Sequence, residues 1–271
     1  MFKQPDRHAS ELSLLDLCRY ALSTRRVWWF TATARTRARF ARTVFGGFWL
    51  GLSNLLSIVV LALVYGTVFR VPDFKAYVIY LGFGIVLWNS LSAAIATAPN
   101  LFEQQAQLLK NTSLHPVFYT LEEWAFQLQT LGQSFLLVAL VLSILQPSIL
   151  WHALAAGLLP LLNFALALYW MPLLVCMIGA RYRDLYQLVP ILLQLMFLLS
   201  PILYSAKSLG RFAWMADLNV VYLLLARLRD ALITGSPHLA QNLILLMFNI
   251  GGLTLALHRL NRQRWLLPFL V

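Results

Sequence analysis

Residues Arg181, Tyr182, Arg183 and Asp184 form a short polar gap between two apolar stretches. The stretch that follows holds Gln187 and Gln194, carries Pro190 and Pro201, and ends in Ser200-Pro201-Ile202-Leu203-Tyr204. A charged cluster at the mouth of an apolar run is costly unless it lies at a membrane interface or meets a partner. Arg39 and Arg42 stand similarly at the mouth of the first apolar run. Within the second run, Tyr77, Tyr80, Gly84 and Trp88 fall on one helical face by their spacing. An interfacial aromatic belt accounts for Tyr77 and Tyr80. It does not account for Trp88, which lies about 16 Å deeper at 1.5 Å per residue.

Other chemistries are excluded by what the chain lacks. His8, His115, His152, His238 and His258 are scattered without metal-ligand spacing. No HExxH and no GxSxG occurs. Glu122 and Glu123 are adjacent, so their side chains point apart on a helix, and they are read as a wet helix start. There is no GxxxxGK[ST], and no lysine follows a glycine, so the chain cannot hydrolyse ATP with a Walker A loop. The expected spans hold no carboxylate, which argues against a proton- or ion-coupled transporter. No cofactor and no metal is expected on this chain.

Of the 271 residues, 60% are hydrophobic and 11% charged, against about 25% charged in a soluble domain. Repeated apolar runs of about 20 residues define an all-α polytopic membrane protein. The net charge of +11 comes mostly from arginines flanking these runs; it sets topology rather than binding nucleic acid. Cys18 in the polar N-terminal region and Cys176 inside a span are not expected to pair. No signal peptide is visible, because the first long apolar run starts near Val44.

Six transmembrane helices are expected, at about 44–69, 76–98, 124–145, 149–179, 188–204 and 239–257. Residues 1–43 precede them, with Lys3, Arg7, Arg19, Arg25, Arg26, Arg35, Arg37, Arg39 and Arg42 among Leu12, Leu15, Leu17, Val27, Trp28 and Phe30. This amphipathic N-terminal segment should lie in the interface plane, arginines toward anionic headgroups. Gly47 and Gly51 open the first span with a small-xxx-small spacing that lets helices approach closely. Pro160 and Pro172 should bend or break the fourth span. The polar break 99–123, with Glu103, Gln107, Lys110 and His115, reads as a short amphipathic helix, 101–109, followed by a bend. Residues 205–237 mix charges with apolar runs too short to span, which fits a re-entrant helix pair between spans five and six. Residues 259–271 form a tail. With the N-terminus inside, fifteen of the 21 Lys and Arg face the cytoplasm, which supports cytoplasmic placement of both ends.

Several runs together resemble one family. Arg39-Phe40-Ala41-Arg42-Thr43-Val44-Phe45-Gly46-Gly47-Phe48-Trp49 is similar to the entry to the first span of ABC-2 permeases that export O-antigen, teichoic acid and capsule. Tyr80 to Trp88 resembles that family's second span, and Leu108-Leu109-Lys110-Asn111 with His115-Pro116 resembles its loop. Arg181-Tyr182-Arg183-Asp184, Gln194, the Ser200 to Tyr204 run, Arg229 and Gly235 complete the set in matching order. The chain departs from the pattern at Arg35-Thr36-Arg37, where the family often has an acidic residue, at Lys110-Asn111 and at Asn219-Val220.

The resemblance implies the membrane half of an exporter in the inner membrane, a homodimer above two copies of an ABC ATPase that bind the ATP and Mg. Its substrate would be a polysaccharide on a polyprenyl-pyrophosphate lipid. Arg39, Arg42, Arg181 and Arg183 would then stand at inner headgroup level, where Arg forks suit a pyrophosphate. Tyr77, Tyr80 and Trp88 would offer flat faces to sugar rings along a channel. Glu103, Gln107, Lys110 and His115 would couple the ATPase to the spans. An ABC-2 permease for a small molecule or drug is the alternative within the family. A membrane-embedded glycosyl- or phosphotransferase is the alternative outside it, and Asp217 and Asp230 are too few to supply its metal ligands.

Overall fold

A computed structural model describes residues 13–270 except 69 and 113. Lys3, Arg7, His8 and Leu12 of the N-terminal segment lie outside the described residues, as do Phe69 at the end of the first expected span and the side chain of Lys207. The described chain is helical throughout and contains no strand. Its elements are α1 (Leu14–Ser23), α2 (Arg25–Arg39), α3 (Phe48–Val68), α4 (Phe74–Thr97), a 3-10 turn (Ala98–Asn100), α5 (Leu101–Gln104), α6 (Ala106–Asn111), α7 (Val117–Leu145), α8 (Ser148–Ala155) and α9 (Leu158–Gly179). They continue with α10 (Leu185–Leu199), a second 3-10 segment (Ala206–Phe212), α11 (Trp214–Leu218), α12 (Val220–Thr234), α13 (Leu239–Gln263) and α14 (Leu267–Leu270).

Among the described residues, five stretches are long and apolar enough to cross a membrane: α3, α4 continued through α5, α7, α9 and α13. This is a multi-pass membrane protein. The sixth apolar element, α10, has 15 residues and covers about 22 Å, short of a hydrocarbon core of about 30 Å. It ends at Ser200, whose extended backbone (φ −87°, ψ 133°) starts a non-helical run.

The core forms around α4. Residues Leu81 to Trp88 are buried on every side, as befits a helix that is hydrophobic all round. Neighbours α3, α7, α9, α10 and α12 enclose it. A Cβ on Gly82 would come within 2.8 Å of Leu142, so the absent side chain sets the α4–α7 distance. At the mouth of α3, a Cβ on Gly47 would overlap Gln133 and one on Gly51 would lie 2.7 Å from Leu137, so the two glycines bring α3 against α7.

A second set of contacts pins α13 to α9 through buried amides. Trp170 Nε1 donates to Asn249 Oδ1 at 2.9 Å, Asn249 Nδ2 reaches Asn163 Oδ1 at 3.1 Å, and Asn163 Nδ2 donates to the Asn242 carbonyl at 2.9 Å. Each of the three asparagines is at most 1% exposed. Amides at this depth are tolerated because every one has partners.

The stretch expected as a fourth span bent or broken by Pro160 and Pro172, 149–179, is two helices. The break falls at Ala156-Gly157, not at the prolines. Pro160 sits in the first turn of α9, where no N–H is required, and Pro172 is accommodated inside α9. The eight residues of α8 pack against α12, burying Ile149 while Leu150, Trp151 and Leu154 stay exposed. The last carbonyls of α12 would otherwise lack partners. Gln146 Nε2 donates to Ile233 O at 2.9 Å and His152 Nδ1 lies 3.2 Å from Leu232 O. Gly235 closes the helix in the left-handed region (φ 70°), and a Cβ there would meet the His152 ring at 2.6 Å. At the other end, Asn219 Oδ1 accepts from Tyr222 N at 3.1 Å while its Nδ2 donates to Ser200 Oγ at 2.9 Å. The most substantial helix in the segment expected as a re-entrant pair is α12, with 15 residues. The 3-10 segment and the five residues of α11 precede it.

Candidate functional site

The third crossing begins earlier than its apolar run suggests, because helix α7 starts at Val117 directly after Pro116. It then carries Glu123, Gln127, Thr130 and Ser134 at i, i+4, i+7 and i+11, one face of a helix. All four are buried. Glu123 is therefore not part of a wet helix start. It accepts a 2.5 Å hydrogen bond from Arg35 Nη1 and another, at 2.7 Å, from Gln127 Nε2. A buried carboxylate without such partners would be costly.

Arg35 brings α2 onto α7. Its guanidinium lies 4.3 Å above the Phe126 ring, and that of Arg39 lies 5.6 Å from the same ring. Gln129 completes the seam, with Nε2 donating to Thr33 Oγ1 and Oε1 accepting from Thr36 Oγ1, both at 3.0 Å. The opposite face of α2 leaves Trp29 and Phe30 exposed beside Arg26 and Arg37 in a shallow groove.

Between α2, α3, α4 and α7 the polar stripe opens on a cavity of about 680 Å³. Arg35, Arg39 and Glu123 stand at one part of its wall, and Asn54, Asn89 and Ser134 at another. The last three form a chain across three helices. Asn89 Nδ2 donates to Asn54 Oδ1 at 2.7 Å, and Asn54 Nδ2 to Ser134 Oγ at 2.6 Å. Polar side chains on spans face protein or water rather than lipid, and these face one space. A second cavity, of about 580 Å³, shares Asn89 and Ala93 with the first and is lined further along by Trp88, Gln194 and Phe197.

The residues singled out in the sequence fall into separate places. Of the four arginines, Arg39 lines the polar cavity. Arg42 is exposed in the turn after α2, with φ 68°. Arg181 is exposed and lies 5.6 Å from the Tyr182 ring. Arg183 Nη2 is 3.6 Å from Glu103 Oε1, and Tyr186 donates to Glu103 Oε2. The Arg181–Asp184 gap is thus tied to α5 through a residue expected to serve coupling, and not through a local pair with Asp184.

The aromatic face of α4 is engaged by protein in this structure. Tyr77 donates to Leu203 O at 2.8 Å, and the Tyr80 hydroxyl lies 2.9 Å from both Pro201 O and Tyr204 O. Trp88 is 6% exposed and packs 5.6 Å from Phe197. The two tyrosines satisfy carbonyls of the non-helical run after α10. Beneath them Arg229, 2% exposed, lies 3.6 Å over the Tyr80 ring and 3.8 Å from Asp230 Oδ1. Nothing in the spacing of Arg229 announced this burial.

On α5 and α6, Leu101, Phe102 and Leu109 are buried while Glu103, Gln107 and Lys110 are exposed, an amphipathic pair kinked at Gln105. His115 follows in the bend, its ring 5.9 Å from Tyr20 and its Nδ1 accepting from Val117 N at 3.2 Å. Burial, reinforced by the Arg264 charge, pushes its pKa down to about 4.

Residues 29–233, more than half of the chain, match the family described as ABC-2 type transporter. The chain belongs to that family. It is a permease subunit, the transport part of an ABC transporter, in a family that typically works with an ATPase partner. Comparison with curated proteins returns no match.

Proposed function

We propose that the chain is the membrane subunit of an ATP-driven exporter for a polysaccharide carried on polyprenyl pyrophosphate, in the inner membrane with both termini cytoplasmic. Two copies would stand on two copies of an ABC ATPase, which binds the ATP and Mg. The observation that carries this reading is the polar cavity with arginines in its wall. An apolar drug needs neither the arginines nor the amides. A pyrophosphate suits Arg39, and a hydroxylated glycan suits the amide and hydroxyl lining. Arg42, Arg181 and Arg183 would supply further headgroup contacts. Tyr77, Tyr80 and Trp88 would meet sugar rings in a conformation where the run after α10 has moved off them. The exposed Glu103, Gln107 and Lys110 offer the ATPase a contact, with His115 behind them.

The cavity's volume also suits a small amphiphile, so a small-molecule ABC-2 permease is the second reading. Within the glycan class, O-antigen, teichoic acid and capsule are all compatible with the lining. Co-expression with a cognate ATPase and purification in nanodiscs separates the readings. A stable two-plus-two complex whose ATPase rate rises with lipid-linked glycan supports the first. A complex that responds only to small amphiphiles replaces it with the second.

A further inference from the structure

The two parts of the cavity wall differ in chemistry, and the difference describes a ligand. Arg35 is already neutralised by Glu123. Among the described residues no carboxylate lies within ion-pair distance of Arg39, although it lines the same space. Further along the wall stand two amides and a hydroxyl with no charge among them. Asn54 is spent on its neighbours, giving to Ser134 and taking from Asn89. Asn89 is exposed to the cavity, and its Oδ1 has no partner among the described residues. Helix α7 runs beside both parts, and its stripe from Glu123 to Ser134 covers about 16 Å at 1.5 Å per residue.

We propose that the cavity is a two-part binding site: Arg39 takes the phosphate of an amphiphile, and the Asn54–Asn89–Ser134 chain takes an uncharged, hydroxyl-bearing group attached close to that phosphate. This rests on the lipid-linked-glycan reading and adds to it that the sugar nearest the lipid is read within one subunit. An amide chain offers both donors and acceptors, as hydroxyl groups require, and repels neither sign of charge. It also costs free energy at span depth unless a polar occupant or water satisfies it. The stripe on α7 sets only the scale of the ligand, a phosphate and a hydroxylated group that together fit along a stretch of about 16 Å.

The test uses the full chain in lipid nanodiscs and two probes, farnesyl pyrophosphate and farnesyl pyrophosphate bearing one N-acetylglucosamine, with affinities measured by equilibrium binding of radiolabelled lipid. The wild type is expected to bind the sugar-bearing probe at least about tenfold more tightly. Asn89→Ala should bring that ratio near unity, Asn89→Ser should recover part of it, and Arg39→Ala should weaken both probes about equally. If Asn89→Ala and Asn54→Ala keep the wild-type ratio while Arg39→Ala weakens both probes, the amide subsite is wrong and the lipid-linked reading survives. A wild-type ratio near unity also removes the subsite. If neither probe binds the wild type, both the subsite and the reading beneath it fall.

Discussion

Arg183 Nη2 lies 3.6 Å from Glu103 Oε1, joining the polar gap before α10 to the short amphipathic helix after α4. Both side chains are largely exposed, so the pair contributes at most about 1 kcal/mol to stability. Its value lies in geometry, since it ties the exposed face proposed for the ATPase contact to the start of α10. Glu103→Arg should leave the melting temperature within about 3 °C of wild type and uncouple ATPase stimulation from substrate. The charge-reversed pair Glu103→Arg with Arg183→Glu should restore it. Stimulation unaffected by the single change would show that the pair plays no part in coupling.

The Arg35–Glu123 pair differs in burial, and so in consequence. The Glu123 side chain is 10% exposed, and removing its cation leaves a carboxylate in a poorly solvated place. Arg35→Ala should cost about 2–4 kcal/mol, the lower side of the range for breaking buried pairs because Arg35 itself is partly exposed. Arg35→Met combined with Glu123→Gln should recover most of that loss. Denaturation in mild detergent, followed by tryptophan fluorescence, measures both.

In the amide ladder, Asn249→Leu strips partners from Trp170 Nε1 and Asn163 at once. Each orphaned group costs about 1–3 kcal/mol in a soluble core. Hydrogen bonds between membrane helices average nearer 0.6 kcal/mol, so a total of about 1–3 kcal/mol is expected. Hydrogen exchange in α9 and α13 should rise before that in α4. Equal loosening of all three helices would contradict a local role for the ladder.

His115 supplies a pH dependence with a definite sign. Its folded pKa of about 4 lies below the usual value of about 6.5, so between these the unfolded chain binds the extra proton and the folded one does not. Its contribution is complete above about pH 6.5 and is lost as pH falls toward 4. Protonation also removes the lone pair that accepts from Val117 N. Melting temperatures of wild type should therefore decline between pH 6.5 and 4 more steeply than those of His115→Asn. Parallel curves would show that the ring does not control this junction.

The apolar runs made the class and the principal crossings legible, because hydropathy and length alone define them. Residue-level chemistry was legible only where it is local. The exposed face of Glu103, Gln107 and Lys110 follows from helical spacing. The polar stripe Glu123, Gln127, Thr130 and Ser134 has the same kind of signal, yet a third span started at residue 124 cuts off its first member. Pro116 before Val117 marks the true start, where a helix tolerates proline. The partners of Tyr77 and Tyr80 lie more than 120 residues away, and no local pattern encodes such a pairing. The break at Gly157 was hidden by two prolines that the helix accommodates.

The most direct measurement is ATP-driven movement of a polyprenyl-pyrophosphoryl oligosaccharide in proteoliposomes that hold the chain and its cognate ATPase. Lectin access to the far leaflet reports the moved glycan. ATP-dependent appearance of lectin-accessible glycan is expected, reduced at least about tenfold by Arg39→Ala. Movement of small amphiphilic dyes without glycan lipid, or glycan movement indifferent to Arg39→Ala, would contradict it.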